Sequence, residues 1–237
     1  MTKVAIVIGG SGNIGAPLVG RFCDIGYRVV AVARHKRQLL PLGMGASNRR
    51  VVIRTADARR ERETIRLFDE VKATFKRIDV LVYTPGIEPD LATPVARCTA
   101  AQWRDTFDVY TYGFFLALRE GLRVVNSGGH IVVVSSAVTR FRAEALPEGI
   151  FAGPYASAKA AVDELCKWGR REAHDRGIYL SRLSPGAIAT PFHLTAPPER
   201  RPPGLIPMEQ VVETITSSVC EGREFDLQLV SCPRRAR

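Results

Sequence analysis

The sequence predicts an α/β domain in which helices cover both faces of a seven-stranded, mostly parallel sheet. Short runs rich in Val and Ile alternate with longer amphipathic stretches, as expected of consecutive strand–helix–strand units. These runs are almost continuously apolar, which is typical of parallel strands buried on both faces. The chain of 237 residues, of which 46% are hydrophobic, is long enough to bury one sizeable core.

Seven apolar runs have the length of strands, and five amphipathic stretches have the length of helices. The predicted strands are Val4–Ile8, Val29–Ala33, Val51–Ala56, Val80–Val82, His130–Ser135, Tyr179–Leu183 and Asp226–Val230. The predicted helices lie near Ile14–Ile25, Arg60–Phe75, Ala100–Asn126, Tyr155–Asp175 and Met208–Glu221. We expect one domain over residues 1–237, in which the proline-rich segment 191–207 forms a substrate loop, because loops of that length are usually functional.

The composition argues against several other classes of protein. The net charge of +10 comes from arginines spread along the chain, without the spacings of known nucleic-acid-binding motifs, so we expect no nucleic-acid partner. The five cysteines form no CxxC pair, which predicts neither a disulfide framework nor a metal site. No apolar stretch approaches the ~18 residues of a membrane helix. We therefore expect a soluble, cytoplasmic protein without a membrane partner.

A glycine-rich turn follows the first predicted strand. Gly9, Gly10, Gly12 and Gly15 lie between that strand and the first predicted helix. Glycines permit a tight turn and let the backbone approach a pyrophosphate, whose charge is stabilised at the helix N-terminus. In this strand–turn–helix context, the glycines predict a doubly wound Rossmann fold that binds a dinucleotide.

Basic residues follow the second predicted strand. Arg34 and His35 come directly after Ala33, and no Asp or Glu occurs from Val29 through Leu40. A carboxylate at this strand end would bind the adenosine ribose of NAD, whereas an arginine suits the 2′-phosphate of NADP. The sequence therefore favours NADPH (NADP+) over NADH as the cofactor.

Tyr155 and Lys159 are four residues apart in a predicted helix, so their side chains lie on one helical face. A phenol with a pKa of ~10 is a poor acid or base near neutrality. A neighbouring ammonium lowers that pKa and makes the pair useful for proton transfer. Upstream, an apolar strand ends in Ser135 and Ser136, where a hydroxyl can hold a substrate carbonyl.

With these residues, the sequence resembles the short-chain dehydrogenase/reductase family, closest to its classical branch. The resemblance extends from Val4 to about Val230. The matching pieces are the glycine turn, Asp57-Ala58, Ile78-Asp79-Val80-Leu81-Val82, Val134-Ser135-Ser136, Tyr155 through Lys159, and Ser184-Pro185-Gly186-Ala187-Ile188-Ala189-Thr190.

The resemblance implies a role for each matching residue. Tyr155 would donate or accept the proton, and Ser136 rather than Ser135 would orient the carbonyl. Lys159 would bind the nicotinamide ribose and lower the pKa of Tyr155, and Asp57 would meet the adenine amino group. The implied catalytic residues are Ser136, Tyr155 and Lys159; the implied cofactor-binding residues are Gly9, Ser11, Asn13, Ile14, Arg34, His35, Asp57, Ala58, Gly86, Tyr155, Lys159, Pro185, Gly186, Ile188 and Thr190. The family also implies a homodimer or homotetramer.

Three positions depart from the family pattern. Asn13 replaces a glycine of the turn, and the segment Tyr83-Thr84-Pro85-Gly86 keeps only the glycine of the family's Asn-Asn-Ala-Gly. Tyr110 stands at the position of the catalytic asparagine, which in the family helps to hold a proton-relaying water. Either the Tyr110 hydroxyl replaces that asparagine or the relay is missing.

The expected function is an NADPH-dependent oxidoreductase of the carbonyl reductase or alcohol dehydrogenase type, with Tyr155 as the acid or base and a small-molecule carbonyl or related substrate. One alternative is reduction of an activated C=C or C=N bond with the same cofactor. Another is a nucleotide-binding sensor or scaffold that has lost turnover, which the three departures motivate. The Tyr155–Lys159 pair argues against the sensor, because a sensor needs no phenolic acid. The sequence does not identify the substrate.

Overall fold

A computed structural model describes residues 2–43, 48–87, 93–141, 150–195, 202 and 204–229. Strands and helices alternate through most of these ranges. The strands are β1 (Val4–Ile8), β2 (Arg28–Ala33), β3 (Val51–Thr55), β4 (Val80–Tyr83), β5 (His130–Val134), β6 (Tyr179–Pro185) and β7 (Asp226–Leu229). The helices are α1 (Gly15–Asp24), α2 (Glu61–Phe75), α3 (Ala100–Phe107), α4 (Gly113–Val124), α5 (Gly153–Asp175), α6 (Pro191–Leu194) and α7 (Met208–Glu221).

The strands form one sheet in the order β3-β2-β1-β4-β5-β6-β7. Each neighbouring pair of these strands is parallel. The direction of winding reverses between β1 and β4, and in such sheets ligands bind outside the carboxyl ends of the strands at this reversal. The predicted seven-stranded, doubly wound Rossmann fold is confirmed.

The almost continuously apolar strands are explained by two cores, one on each face of the sheet. In β1, Val4, Ile6 and Ile8 point into a cluster that includes side chains of α2, α4 and α5. Ala5 and Val7 point to the opposite face, where α1 and α7 cover the sheet. All five side chains are buried, which explains why this strand is apolar at every position.

One predicted helix, Ala100–Asn126, is divided in the structure. A π-helical turn, Asp108–Tyr112, separates α3 from α4. Within this turn, the carbonyl of Val109 accepts a hydrogen bond of 2.6 Å from the buried hydroxyl of Tyr83, at the end of β4. The turn therefore depends on a tertiary contact, which helical periodicity does not reveal. Turns of this kind are frequent at functional sites.

The other predicted boundaries agree with the structure to within two residues where it describes them, and those of β1 and α7 agree at both ends. Helix α5 begins at Gly153, with Pro154 in its first turn, where a proline needs no N–H donor. The proline-rich segment is partly regular, because α6 occupies its start and Ile206 pairs with Ile188 in a parallel bridge. Residues 196–201, 203 and 230 of the predicted loop and last strand lie outside the described residues. Among the helices that the structure describes, none has the length and hydropathy required to cross a membrane.

Candidate active site

A cavity of about 260 Å³ lies at the carboxyl ends of β1, β2 and β4, beside the reversal of winding. Its walls come from the glycine turn after β1, from the residues after β2 and β3, and from the segment after β4. Of the predicted cofactor-binding residues, Gly9, Ser11, Arg34, Asp57, Ala58 and Gly86 line this cavity.

The glycine turn is fixed by backbone contacts that a side chain would prevent. Gly9 has a φ of +86°, and a Cβ there would lie 2.7 Å from the nitrogen of Pro85. The N–H groups of Gly9 and Gly10 both donate to the carbonyl of Val32 in β2, at 3.0 and 2.9 Å. The backbone of the turn is therefore fixed against β2 on one side and against the segment after β4 on the other.

The start of α1 provides donors for an anion. Within the described residues, the N–H groups of Ser11, Asn13 and Ile14 have no hydrogen-bond acceptor. No acidic residue lies in the first turn of α1, which begins at Gly15. Free N–H groups at the positive end of a helix dipole fit a pyrophosphate. Asn13 and Ile14 do not line the cavity, and their predicted contacts with a cofactor stay predictions.

Two arginines reach the cavity on the side of β2 and β3. Arg34 is exposed and follows β2, whereas Arg59 is paired with Asp57 at 2.7 Å. The Arg59 hydrogen bond holds the pKa of the Asp57 carboxyl below its ordinary value. The carboxylate predicted to meet adenine therefore already has a cationic partner, and that role stays a prediction. His35 is exposed and does not line the cavity.

Ser136 and Tyr155 are brought together, although they are 19 residues apart in the sequence. Ser136 follows β5, and Tyr155 lies in the first turn of α5. Burial raises the pKa of Tyr155, and the nearby Ser136 side chain opposes this shift. Ser135 points elsewhere, because its hydroxyl donates to Asp163 at 2.5 Å.

Lys159 is buried one turn after Tyr155, near a backbone carbonyl and two aromatic rings. Its Nζ donates to the carbonyl of Val134 at 2.8 Å and lies 4.4 Å from the ring centroid of Tyr110. It lies 5.8 Å from the ring centroid of Tyr155. Burial lowers the pKa of Lys159 from 10.5 to about 7. The net pKa shift of Tyr155 is upward, opposite to the shift predicted from Lys159, because burial of the phenol outweighs other effects.

Tyr110 presents its ring, rather than its hydroxyl, to the lysine. The hydroxyl donates to the carbonyl of Ile87 at 2.6 Å, and the ring packs edge-on against Tyr155 with centroids 5.2 Å apart. A cation over an aromatic face is stabilised by ~0.5–2 kcal/mol. Of the two alternatives for Tyr110, this geometry favours the absence of an asparagine-like relay, with the ring as a wall beside Lys159.

We expect kcat of the Tyr110→Leu variant to be about tenfold lower than kcat of the Tyr110→Phe variant. The Phe variant keeps the ring over Lys159, whereas the Leu variant removes it and its stabilisation of the cation. The measurement is kcat for each variant, with the free energy of unfolding determined in parallel. A Phe variant as impaired as the Leu variant would show that the hydroxyl carries a proton.

The remaining predicted residues lie at the carboxyl end of β6 and do not line the cavity. Gly186 donates its N–H to the carbonyl of Leu229 at 2.7 Å. Thr190, which is buried, ends the segment and immediately precedes α6. Because all strands are parallel, this segment shares one edge of the sheet with the glycine turn and Ser136. The predicted residues here are Pro185, Gly186, Ile188 and Thr190.

Sequence reasoning missed two carboxylates that organise the site. Asp163, on α5, accepts a hydrogen bond of 2.5 Å from the hydroxyl of Ser135. Glu63, on α2, accepts a hydrogen bond of 2.8 Å from the N–H of Asp57. Asp163 follows Lys159 by four residues, so helical spacing placed it on the same face as the predicted pair. Glu63 has no comparable signal, because its partner is a backbone group in another segment.

Together, the doubly wound sheet and the glycine turn are typical of dinucleotide-binding proteins, and Ser136 follows β5 at the same edge of the sheet as the cavity. A family model described as short chain dehydrogenase matches residues 3–200. The chain belongs to that family, and the prediction of an oxidoreductase of this family is confirmed.

Individual relatives agree with this assignment. The chain is 31% identical over 220 residues to a 3beta-hydroxysteroid dehydrogenase of Eggerthella lenta, with 88% of this chain and 81% of the relative covered. It is 28% identical over 204 residues to an NADPH-dependent aldehyde reductase-like protein of Arabidopsis thaliana, with 79% and 73% covered. Among solved structures, a dehydrogenase from Burkholderia cenocepacia with bound NADP has a TM-score of 0.82 at 21% identity, with 96% and 92% covered.

Proposed function

We propose that this protein is an NADPH-dependent reductase of ketones or aldehydes, in which Tyr155 is the proton donor. The observation that carries the proposal is the grouping of three side chains: Ser136 is near enough to Tyr155 to lower its pKa, and the Nζ of buried Lys159 lies 5.8 Å from the centroid of the Tyr155 ring. A phenol and a serine hydroxyl this close together can both donate to one carbonyl oxygen.

The cavity supports a phosphorylated dinucleotide. The turn from Gly9 would hold the pyrophosphate at the start of α1, and exposed Arg34 would bind a 2′-phosphate at the cavity edge. Asp57 forms its ion pair with Arg59, at 2.7 Å, and Arg34 acts on the same carboxylate only through the weaker charge interaction between them. The exposed guanidinium of Arg34 therefore keeps its donors for a phosphate. An NADPH-dependent relative and a similar fold with NADP bound also support this cofactor.

The chemistry follows from the states of the side chains. A nicotinamide cofactor in this site supplies the hydride in the reductive direction. The raised pKa of Tyr155 keeps the phenol protonated near neutrality, so it can donate a proton to the carbonyl oxygen. Ser136 orients that oxygen, and the charge of Lys159 stabilises the phenolate that remains.

The relatives also support the substrate class. One is named as a hydroxysteroid dehydrogenase and another as an aldehyde reductase-like protein. Both names concern the interconversion of an alcohol and a carbonyl group. We therefore propose a C=O bond rather than a C=C or C=N bond as the reacting group.

The proposal is tested by measuring NADPH consumption with a panel of ketones and aldehydes, and with enones and cyclic imines as separate arms. Turnover of a carbonyl and not of the other arms supports it. Turnover confined to enones or imines would reassign the reaction. If NADPH binds tightly, as measured by fluorescence, but no substrate in any arm is turned over, the protein is a nucleotide sensor rather than an enzyme.

We expect Arg34→Asp to shift the ratio of kcat/KM for NADPH to that for NADH toward NADH by about 10- to 100-fold. Hydrogen bonds to a charged group contribute about 1.5–3 kcal/mol, and the new carboxylate repels a phosphate. Arg37→Asp is the matched control, because Arg37 is an exposed arginine of the same segment that does not line the cavity. An equal shift in both variants would assign the effect to net charge instead.

We further propose that residues 1–237 form one domain and that it assembles into a homodimer or homotetramer. Large aromatic side chains on α4 and α5 support the assembly. Phe115 is 39% exposed and Trp168 is 67% exposed, although both lie on long amphipathic helices. Exposed aromatic residues on neighbouring helices are typical of surfaces that are covered by another protein.

A further inference from the structure

Asp163 lies in the middle of α5, one turn after Lys159, where it is almost enclosed by polar partners. Its carboxylate accepts hydrogen bonds from Ser135 at 2.5 Å and from Thr139 at 2.8 Å. It also forms an ion pair of 2.7 Å with Arg182 of β6. Three separate segments, the end of β5, the turn after it and β6, therefore converge on one side chain.

The two hydroxyl donors flank the serine of the proposed active site. Ser135 precedes Ser136 and Thr139 follows it by three residues; the Thr139 hydroxyl also lies 3.1 Å from the carbonyl of Ser136. Both flanking side chains are tied to the helix that carries Tyr155. Asp163 therefore connects the residues on both sides of Ser136 to the helix that carries Tyr155, while the Ser136 hydroxyl itself accepts a hydrogen bond of 3.3 Å from the N–H of Val138.

The charges around Lys159 point to the same residue. Asp163 follows Lys159 by four residues on α5 and so lies on the same helical face. Its carboxylate raises the pKa of Lys159 against the effect of burial. The thiol of Cys166, also on α5, acts in the same direction. From the other elements, Lys159 faces the ring of Tyr110 and the carbonyl of Val134, which carry no formal charge.

Arg182 completes a chain of alternating charges. Its side chain is 4% exposed, and it joins Asp163 on one side to Asp226 at the start of β7 on the other, at 2.6 Å. Lys159, Asp163, Arg182 and Asp226 thus alternate in sign. A buried arginine without an acidic partner is costly, so Arg182 fixes the position of the Asp163 side chain between α5 and β6.

We propose that Asp163 is a positioning residue for the reaction: it aligns Ser136 with Tyr155 through Ser135 and Thr139, and it is the counter-charge of the Lys159 ammonium. The inference rests on the proposed function for its kinetic consequences only. It assigns two separable effects to one carboxylate, one on geometry and one on charge.

Substitutions separate the two effects. Ser135→Ala removes a hydrogen bond to Asp163 without changing its charge, so kcat should fall about threefold to tenfold while the pH profile stays unchanged. Asp163→Asn removes the charge as well, so kcat should fall more than tenfold with little change in KM for NADPH. In addition, the loss of kcat/KM as Lys159 is deprotonated should move about one pH unit lower. Glu164→Gln is the matched control, because this exposed carboxylate is the next residue on α5 and pairs with Lys167.

A second measurement does not depend on turnover. The chain has six lysines, so the pKa of Lys159 can be followed in the cofactor-free protein by NMR of 13C-labelled lysine side chains, with Lys159→Arg identifying the resonance. Asp163→Asn should lower that pKa by about one unit, and Glu164→Gln should leave it unchanged. An unchanged Lys159 pKa in Asp163→Asn overturns the inference and leaves the proposed function intact.

The remaining outcomes are also decisive. A wild-type protein that reduces no carbonyl refutes the proposed function, whereas the NMR titration still decides whether Asp163 is the counter-charge. Wild-type kcat in Asp163→Asn overturns the positioning role. If Asp163→Asn fails to fold, the double variant Ser135→Ala/Thr139→Val decides: a reduced kcat at unchanged KM supports the role, and wild-type kcat overturns it.

Discussion

Tyr155→Phe should lower kcat for carbonyl reduction by about 10²- to 10⁴-fold, the usual contribution of a positioned general acid. The substitution removes the phenolic proton and keeps the ring that packs against Tyr110 at 5.2 Å between centroids. Because the nucleotide cavity is lined by other residues, the dissociation constant of NADPH should change less than about threefold. Stopped-flow absorbance and fluorescence titration measure the two quantities.

Tyr112→Phe provides the control for this experiment. Tyr112 lies in the same π-helical turn as Tyr110 but is 41% exposed and stacks on Phe115 at the surface. Loss of its hydroxyl should leave kcat unchanged. If Tyr155→Phe retains wild-type kcat, another group donates the proton, and the proposed role of Tyr155 is wrong.

The parts of the site that the sequence predicts are those encoded by local spacing. The glycine turn is predictable because Gly9 and its neighbours must satisfy a positive φ and close backbone contacts within a few residues. The common face of Tyr155 and Lys159 follows from helical periodicity alone. The parallel sheet follows from runs that are apolar on both faces, as in β1.

What the sequence does not predict depends on contacts between distant segments. The π-helical turn requires the Tyr83 hydroxyl at the carbonyl of Val109, 26 residues away. The pairing of Asp57 with Arg59 depends on rotamers that spacing leaves open. The orientation of Tyr110, ring toward Lys159 and hydroxyl toward Ile87, is set by packing. Of these residues, Tyr83 and Tyr110 are also positions where the chain departs from the pattern of its family.

Lys159 connects these packing effects to a measurable pH dependence. Burial lowers its pKa from 10.5 to about 7, so the ammonium is present below that pH and is lost as the pH rises through it. The proposed role of Lys159 requires the cation. We therefore expect kcat/KM for NADPH to fall above about pH 7, approaching tenfold per pH unit.

Stability should change in the opposite direction over the same range. Between about pH 7 and pH 10.5 the unfolded chain binds a proton at Lys159 that the folded chain does not bind. The free energy of unfolding therefore rises with pH, by up to ~1.4 kcal/mol per unit. Lys159→Met removes this contribution, because the side chain no longer titrates. Chemical denaturation at several pH values measures the difference.

The substitution of Lys159 should have the second of the two largest effects on activity. Lys159→Met removes the charge beside Tyr155 and should reduce kcat/KM by at least 10²-fold at pH 6, where wild-type Lys159 is charged. Lys159→Arg keeps a charge at every accessible pH. The Lys159→Arg variant should therefore have a lower kcat/KM than the wild type, and this kcat/KM should not fall between pH 6 and pH 9. Lys167→Met, an exposed lysine two turns further along α5, should behave as the wild type. A wild-type profile that is flat across pH 7 would place the functional pKa of Lys159 well above that of the cofactor-free protein, and the ammonium would then need a further stabilising charge when NADPH binds.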